Sequence, residues 1–143
     1  MRPSLDSAML LVARALGLRA TCGKLKVGCV LTDKYGRIIG SGYNGVARGE
    51  PHCSEQPCPG FSAPKGSDLC EAVHAEQNAL MQCRDTQAIY TAYVTHAPCM
   101  RCTKELLNTS CERIIFANGY DLEPQAKDLW LRAGRIWHQH FLE

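Results

Sequence analysis

His74-Ala75-Glu76, followed by Pro98-Cys99-Met100-Arg101-Cys102, sets one imidazole, two thiols and one carboxylate along a short piece of chain. A His and a C-x-x-C pair can supply three ligands to Zn²⁺ and leave its fourth tetrahedral position to water. Glu76 is not needed as a ligand; it is the carboxylate that such a site uses to move protons between that water and a substrate. Cys99 and Cys102 stand at i and i+3 of a helix start. That spacing puts both sulfurs on one side, and the helix N-terminus favours their thiolates. His74 and Glu76 are about 200° apart around an ideal helix, so they share one site only if His74 stands at the helix entrance. Three protein ligands beside a proton carrier make the site catalytic in type rather than closed and structural.

Working outward, the second motif follows a run rich in strand formers, Ala88 to Val94, that suits a central strand buried on both faces. A helix is expected from Cys99 to about Asn108, after Pro98, and another from Glu71 to Arg84. Upstream, Ser4 can cap a helix over 5–18. Val27 to Thr32 and Arg37 to Ser41 form a hairpin about the turn Asp33-Lys34-Tyr35-Gly36. Downstream, Arg113 to Ala117 is a strand, Asn118-Gly119 a turn, Pro124 to Ala133 a helix stopped by Gly134, and Arg135 to His138 a last strand. Alternating strands and helices predict an α/β layered domain with a five-stranded mixed sheet.

With 143 residues, 45% of them hydrophobic, the chain fits one compact domain spanning 1–143. A formal charge of +2 is too small to argue for a nucleic-acid surface. No apolar run approaches the roughly 20 residues of a membrane span, and the opening residues do not resemble a signal peptide. Nine cysteines are then read as metal ligands or buried thiols in a reducing, cytoplasmic setting. Cys29, Cys83 and Cys111 are expected to be packing residues. From Gly45 to Leu69 periodicity is lost, and a loop of this length needs a reason to be ordered. His52, Cys53, Cys58 and Cys70 are four potential zinc ligands that would supply one.

The order H-x-E…P-C-x-x-C resembles the signature of zinc-dependent nucleobase deaminases. Thr21-Cys22, Val27-Gly28, Gly42-Tyr43-Asn44-Gly45, His52-Cys53, His74-Ala75-Glu76-x-Asn78-Ala79, Tyr93-Val94-Thr95 and Pro98-Cys99-x-x-Cys102 together resemble the deoxycytidylate (dCMP) deaminase family, including its phage and viral members. The resemblance runs from about Thr21 to Tyr120. It implies a three-layer α-β-α cytidine-deaminase fold and conversion of dCMP to dUMP and ammonia on the route to thymidylate. It also implies homo-oligomers, often hexamers, with dCTP as activator and dTTP as inhibitor. By the same resemblance, Glu76 is catalytic and His74, Cys99 and Cys102 hold the catalytic zinc. Asn44 contacts the deoxyribose, Tyr43 and Gly45 shape the nucleotide pocket, and Lys24 and Tyr120 approach the phosphate. Lys24 stands where relatives often carry Arg, which exchanges a bidentate fork for a point charge. Cys22, Cys53, Cys58 and Cys70, with His52 as alternate, fit a second, structural zinc. The region Met81-Gln82-Cys83-Arg84-Asp85 departs from phage members that carry an aromatic and an Arg there, so effector control is less strongly implied than the reaction.

Three other readings stand beside this one: a preference for dCTP, a polynucleotide deaminase acting on tRNA adenosine or single-stranded cytosine, and a zinc-stabilised binding module without catalysis. A polynucleotide enzyme calls for a basic, aromatic-lined channel. Here Trp130 and Trp137 both lie in the final segment, away from the motifs. A closed structural zinc has no use for Glu76.

Overall fold

The computed structural model describes residues 1–21, 25–52, 72–119 and 124–142. Ser4 accepts a hydrogen bond from the Ser7 N–H and starts α1 (Leu5–Gly17). Strands β1 (Gly28–Thr32) and β2 (Ile38–Tyr43) form the expected hairpin. Its turn is held by Asp33, whose Oδ1 accepts from the N–H groups of Tyr35 and Arg37, and by Gly36 at a φ of 82°. Then come α2 (Ala75–Gln82), β3 (Thr91–His96), α3 (Met100–Leu107), β4 (Arg113–Asn118), α4 (Gln125–Arg132) and β5 (Ile136–Gln139).

The five strands make one mixed sheet in the order β2-β1-β3-β4-β5. β1 is antiparallel to both β2 and β3, whereas β3, β4 and β5 run parallel through the α3 and α4 crossovers. Side chains alternate between the faces. Val30, Tyr93 and Ile115 meet Leu10 and Ala13 of α1 on one side. Cys29, Leu31, Ala92, Val94, Ile114 and Phe116 meet Ala75, Ala79, Leu106 and Trp130 on the other. A single helix on one face and three on the other therefore complete the three layers, and β3 is central and buried on both faces as expected.

Two glycines set how closely the helices approach. A Cβ on Gly28 would lie 1.8 Å from the Ala13 carbonyl oxygen, and one on Gly42 would lie 2.7 Å from the Ala79 nitrogen. Backbone meets backbone at both crossings, which only a residue without a side chain permits. α1 is tied down further by Asp6. Its Oδ1 accepts from Tyr93 Oη at 2.7 Å on β3 and its Oδ2 from Arg113 Nη2 at 2.9 Å on β4.

Several boundaries differ from those expected. α2 does not run from 71 to 84. Val73 is held extended by a bridge to Gly45, and Cys83 turns to an extended ψ of 123°. β3 starts at Thr91 rather than Ala88, because Asp85 closes a turn on the N–H groups of Gln87 and Ala88. β2 continues to Tyr43, paired with Gly28, and begins at Ile38. β5 begins at Ile136, after Gly134 at a φ of 78°. Both tryptophans are packing residues: Trp130 is fully buried and donates Nε1–H to the Ile136 carbonyl, and Trp137 stands edge-on to Phe116 at 5.4 Å. Cys29 and Cys111 are buried free thiols and Cys83 is a half-buried one. Among the described residues, no helix is long and apolar enough to cross a membrane.

Candidate metal centre

His74 is the residue before the first turn of α2, with φ −69° and ψ 153°. Two local features hold it there. Val73 and Gly45 exchange both backbone hydrogen bonds, at 2.7 and 3.2 Å, and the His74 N–H donates to Gln77 Oε1 at 3.0 Å. The second contact is half of a capping box, with Gln at the third helical position. With His74 extended and Glu76 inside the first turn, the 200° separation of a regular helix no longer applies. Both side chains reach the same place.

On the facing side, β3 ends at His96 and the chain turns through Ala97 and Pro98 into α3, with Cys99 at its cap. The Cys99 carbonyl accepts from both the N–H and the hydroxyl of Thr103, at 2.9 and 2.8 Å. The approach is pinned by Ala97 N–H to the Asn118 carbonyl and by Asn118 Nδ2 to the Thr95 carbonyl. His74 Nδ1 then stands 3.4 Å from Cys99 Sγ and 3.2 Å from Cys102 Sγ. The three donor atoms lie within 4.8 Å of one another, and no other such group occurs among the described residues. Cys102 is buried; His74 and Cys99 are half-buried.

The Cys102 thiol donates to Cys99 sulfur and, against burial, draws Cys99 down to about 4, with His74 adding to the effect. The same hydrogen bond, with burial, pushes Cys102 far up. His74 is raised, chiefly by its hydrogen bond to Cys99. A dication among these atoms would favour two thiolates and a neutral ring. The donor set of one imidazole and two thiols with one place left over fits Zn²⁺.

Glu76 is 4% exposed, and its carboxyl is pushed from 4.5 up to about 7, first by burial and then by the charge on Cys99. A carboxyl poised near neutrality can both take and give a proton at working pH. Cys29 is fully buried, and burial, with the Glu76 charge adding to it, pushes its thiol well above the usual range.

Of the other expected site residues, Tyr43 ends β2 and Asn44 and Gly45 follow it. Asn44 is 7% exposed; its Oδ1 accepts from the Val27 N–H and its Nδ2 donates to the Leu25 carbonyl, each at 2.7 Å. Its amide thus holds the segment before β1. Tyr43 Oη faces Arg19 Nε at 3.4 Å. Gly45 bridges to Val73, next to His74. His52 is exposed. Lys24, Cys22, Cys53, Cys58, Cys70 and Tyr120 lie outside the described residues.

Three positioning residues were given no role by the motif reading, although Asn78 and Thr95 stand within the quoted motifs. Gln77 holds the His74 N–H, Asn78 Nδ2 donates to the Tyr43 carbonyl at 2.8 Å, and Thr95 Oγ1 accepts from the Gly28 N–H at 3.1 Å. Gln three residues after His74 is a capping-box spacing and was available as a signal. The partners of Asn78 and Thr95 are remote in sequence and gave none.

A family model described as the cytidine and deoxycytidylate deaminase zinc-binding region matches residues 3–118. A deoxycytidylate deaminase of Mycobacterium phage D29 is 38% identical over 123 residues, covering 80% of this chain and 95% of the phage protein. A deoxycytidylate deaminase of Schizosaccharomyces pombe is 32% identical over 139 residues, covering 93% of this chain; the chain spans 43% of that relative's length. The fold is shared with the dCMP deaminase of cyanophage S-TIM5 crystallised with dCMP and dUMP, at a TM-score of 0.78 and 24% identity, covering 98% of this chain and 99% of the other. The match over residues 3–118, falling on the His74, Cys99 and Cys102 cluster with Glu76 beside it, places this chain in the cytidine and deoxycytidylate deaminase zinc-binding family.

Proposed function

We propose that the chain catalyses hydrolytic deamination of dCMP to dUMP and ammonia, supplying the uracil nucleotide from which dTMP is made. The observation that carries this reading is the buried Glu76 carboxyl in the first turn of α2, beside the three donors of His74, Cys99 and Cys102. Zinc held by His74, Cys99 and Cys102 would supply Lewis acidity and a water that ionises near neutral pH. Glu76 accepts the proton of the attacking water and passes it to N3 of the cytosine ring. As the C4–N bond breaks, a second proton reaches the departing nitrogen by way of the same carboxylate, so that ammonia and a 4-oxo ring remain. Burial favours this shuttle, because no bulk water competes for the carboxylate.

The substrate assignment rests on the names of relatives with 30% identity or more and on the Gly42-Tyr43-Asn44-Gly45 turn. In this reading Tyr43, Asn44 and Gly45 line the sugar, with Lys24 and Tyr120 at the phosphate. The finer proposals are a second zinc on Cys22, Cys53, Cys58 and Cys70 with His52 as alternate, a hexamer, control by dCTP and dTTP, and a cytoplasmic location, the host's if the protein is viral. Metal analysis of protein purified without chelator tests the second zinc: two per chain supports it and one rejects it.

The deciding experiment measures ammonia release from dCMP, dCTP, CMP, deoxycytidine and short single strands, with and without added dCTP and dTTP. Turnover highest on dCMP is expected. Glu76→Gln should keep its zinc and lose about a thousandfold or more in kcat, within the range for removing a general acid–base. Retained turnover within tenfold of the parent would show that another group carries the proton.

A further inference from the structure

β5 is the last strand of the sheet, paired with β4 on one side and, among the described residues, with no strand on the other. Side chains two apart on a strand share a face. His138 stands across from Ile115, whose side chain packs on α1, and His140 meets Ser7 of α1, so both imidazoles lie on the α1 side of this edge. The His140 N–H still donates to the Phe116 carbonyl at 2.8 Å, which keeps the ladder in register as far as the second ring. The ring centroids are 6.3 Å apart, with the planes tilted by 53°. Both histidines lie beyond residues 3–118, the span that the family model matches.

The two rings are held differently. His140 is half-buried, and its Nε2 is 2.7 Å from Ser7 Oγ. With Nε2–H donated to that hydroxyl, Nδ1 keeps the free lone pair. Metal-ligating histidines are held in this way, one ring nitrogen on an outer partner and the other on the ion. His138 is exposed and makes no hydrogen bond among the described residues, so its ring is free to turn. Two imidazoles on one ion, each at about 2.0–2.1 Å, bring their centroids to roughly 5 Å, which leaves a rotation of His138 about 1 Å to close. Charge does not oppose a cation at this place. The Asp6 carboxylate interacts with His140, and Arg113, on the same face of β4, has its charge met by Asp6 at 2.9 Å. No third His, Cys, Asp or Glu joins the pair among the described residues, so water would complete the coordination.

We propose that His138 and His140 form a further metal site, separate from the His74, Cys99 and Cys102 cluster, that takes a divalent cation of the imidazole-preferring class, Ni²⁺, Cu²⁺ or Zn²⁺. Imidazole suits these ions, whereas Mg²⁺ and Ca²⁺ seek oxygen. An ion there fastens the edge strand to α1 by way of His140 and Ser7. The site is on the sheet face opposite α2 and α3, and the inference does not rest on the proposed reaction.

The test is calorimetric titration of the zinc-loaded protein with Ni²⁺, alongside the His138→Gln and His140→Gln variants and the two combined. The parent should bind one Ni²⁺ per chain more than the double variant. Either single substitution should weaken that ion about tenfold or more, because a chelating pair becomes a lone ligand. Ser7→Ala should weaken it about tenfold, the lower end for loss of an outer partner. Ni²⁺ should also raise the melting temperature of the parent more than that of the double variant, and Mg²⁺ should not. His138→Gln, at an exposed position, decides the matter alone if replacing His140 impairs folding. No Ni²⁺ bound beyond that of the double variant, or binding unmoved by His138→Gln, overturns the proposal. Binding matched by Mg²⁺ overturns the imidazole assignment.

Discussion

Replacing Asp6 by Ala removes the acceptor of two hydrogen bonds that fasten α1 to the sheet. The bond from Tyr93 Oη is the more valuable, since Tyr93 is fully buried and its hydroxyl is left without its acceptor. That loss amounts to about 1.5 kcal/mol. The pair with Arg113 leaves both side chains about a quarter exposed and adds about 0.5 kcal/mol. The total of about 2 kcal/mol lowers the melting temperature by roughly 6 °C in a chain of this size. The pH dependence has a definite sign. Burial raises the Asp6 carboxyl, but hydrogen bonds from Tyr93 and Arg113 outweigh it and hold the carboxyl below 3.8. Its contribution is therefore complete above pH 3.8 and is lost as pH falls through the lowered folded value. Thermal melts of the parent and Asp6→Ala between pH 8 and pH 2.5 should run parallel to about pH 5 and converge below pH 4. Asp6→Ala combined with Tyr93→Phe should melt no lower than Asp6→Ala alone, because the two share one bond. Melts within 1 °C at pH 7, or a gap that persists unchanged at pH 2.5, would refute the assignment of this network.

Gly28→Ala should destabilise by about 3 kcal/mol, the upper end for overpacking, because its methyl meets the Ala13 carbonyl oxygen at 1.8 Å and α1 must retreat; chemical denaturation reads this, and an unchanged midpoint would contradict the close crossing. Gln77→Ala removes the acceptor of the His74 N–H, so zinc retention in a chelator competition should fall about tenfold, as for loss of an outer-shell partner. Trp130→Phe loses the Nε1–H bond to the Ile136 carbonyl and leaves a void; a cost of about 2 kcal/mol is expected from denaturation, combining a hydrogen bond with a small cavity. Chelator treatment should lower the melting temperature, since a metal held by His74, Cys99 and Cys102 would bind the folded chain more tightly than the unfolded one.

What the sequence by itself determined was whatever depends on neighbours along the chain. Ser4 caps α1 because its hydroxyl is three residues from the N–H it satisfies, and Asp33-Lys34-Tyr35-Gly36 turns because Asp33 reaches the amides two and four residues on. Cys99 and Cys102 face one way because one helical turn separates them, and strong apolar runs announced the β1 and β3 strands. The start of α2 could not be read in this way. Composition carries the helix back to Glu71, but Val73 is held extended by Gly45, a partner from another part of the chain. Only that tertiary pairing puts His74 at the entrance, where it and Glu76 can serve one site. The order of the strands, the backbone-close crossings at Gly28 and Gly42, and the meeting of Ser7 with His140 were likewise decided by tertiary structure. Each joins residues far apart in sequence, and their approach is set by burial of the two sheet faces together rather than by any local preference.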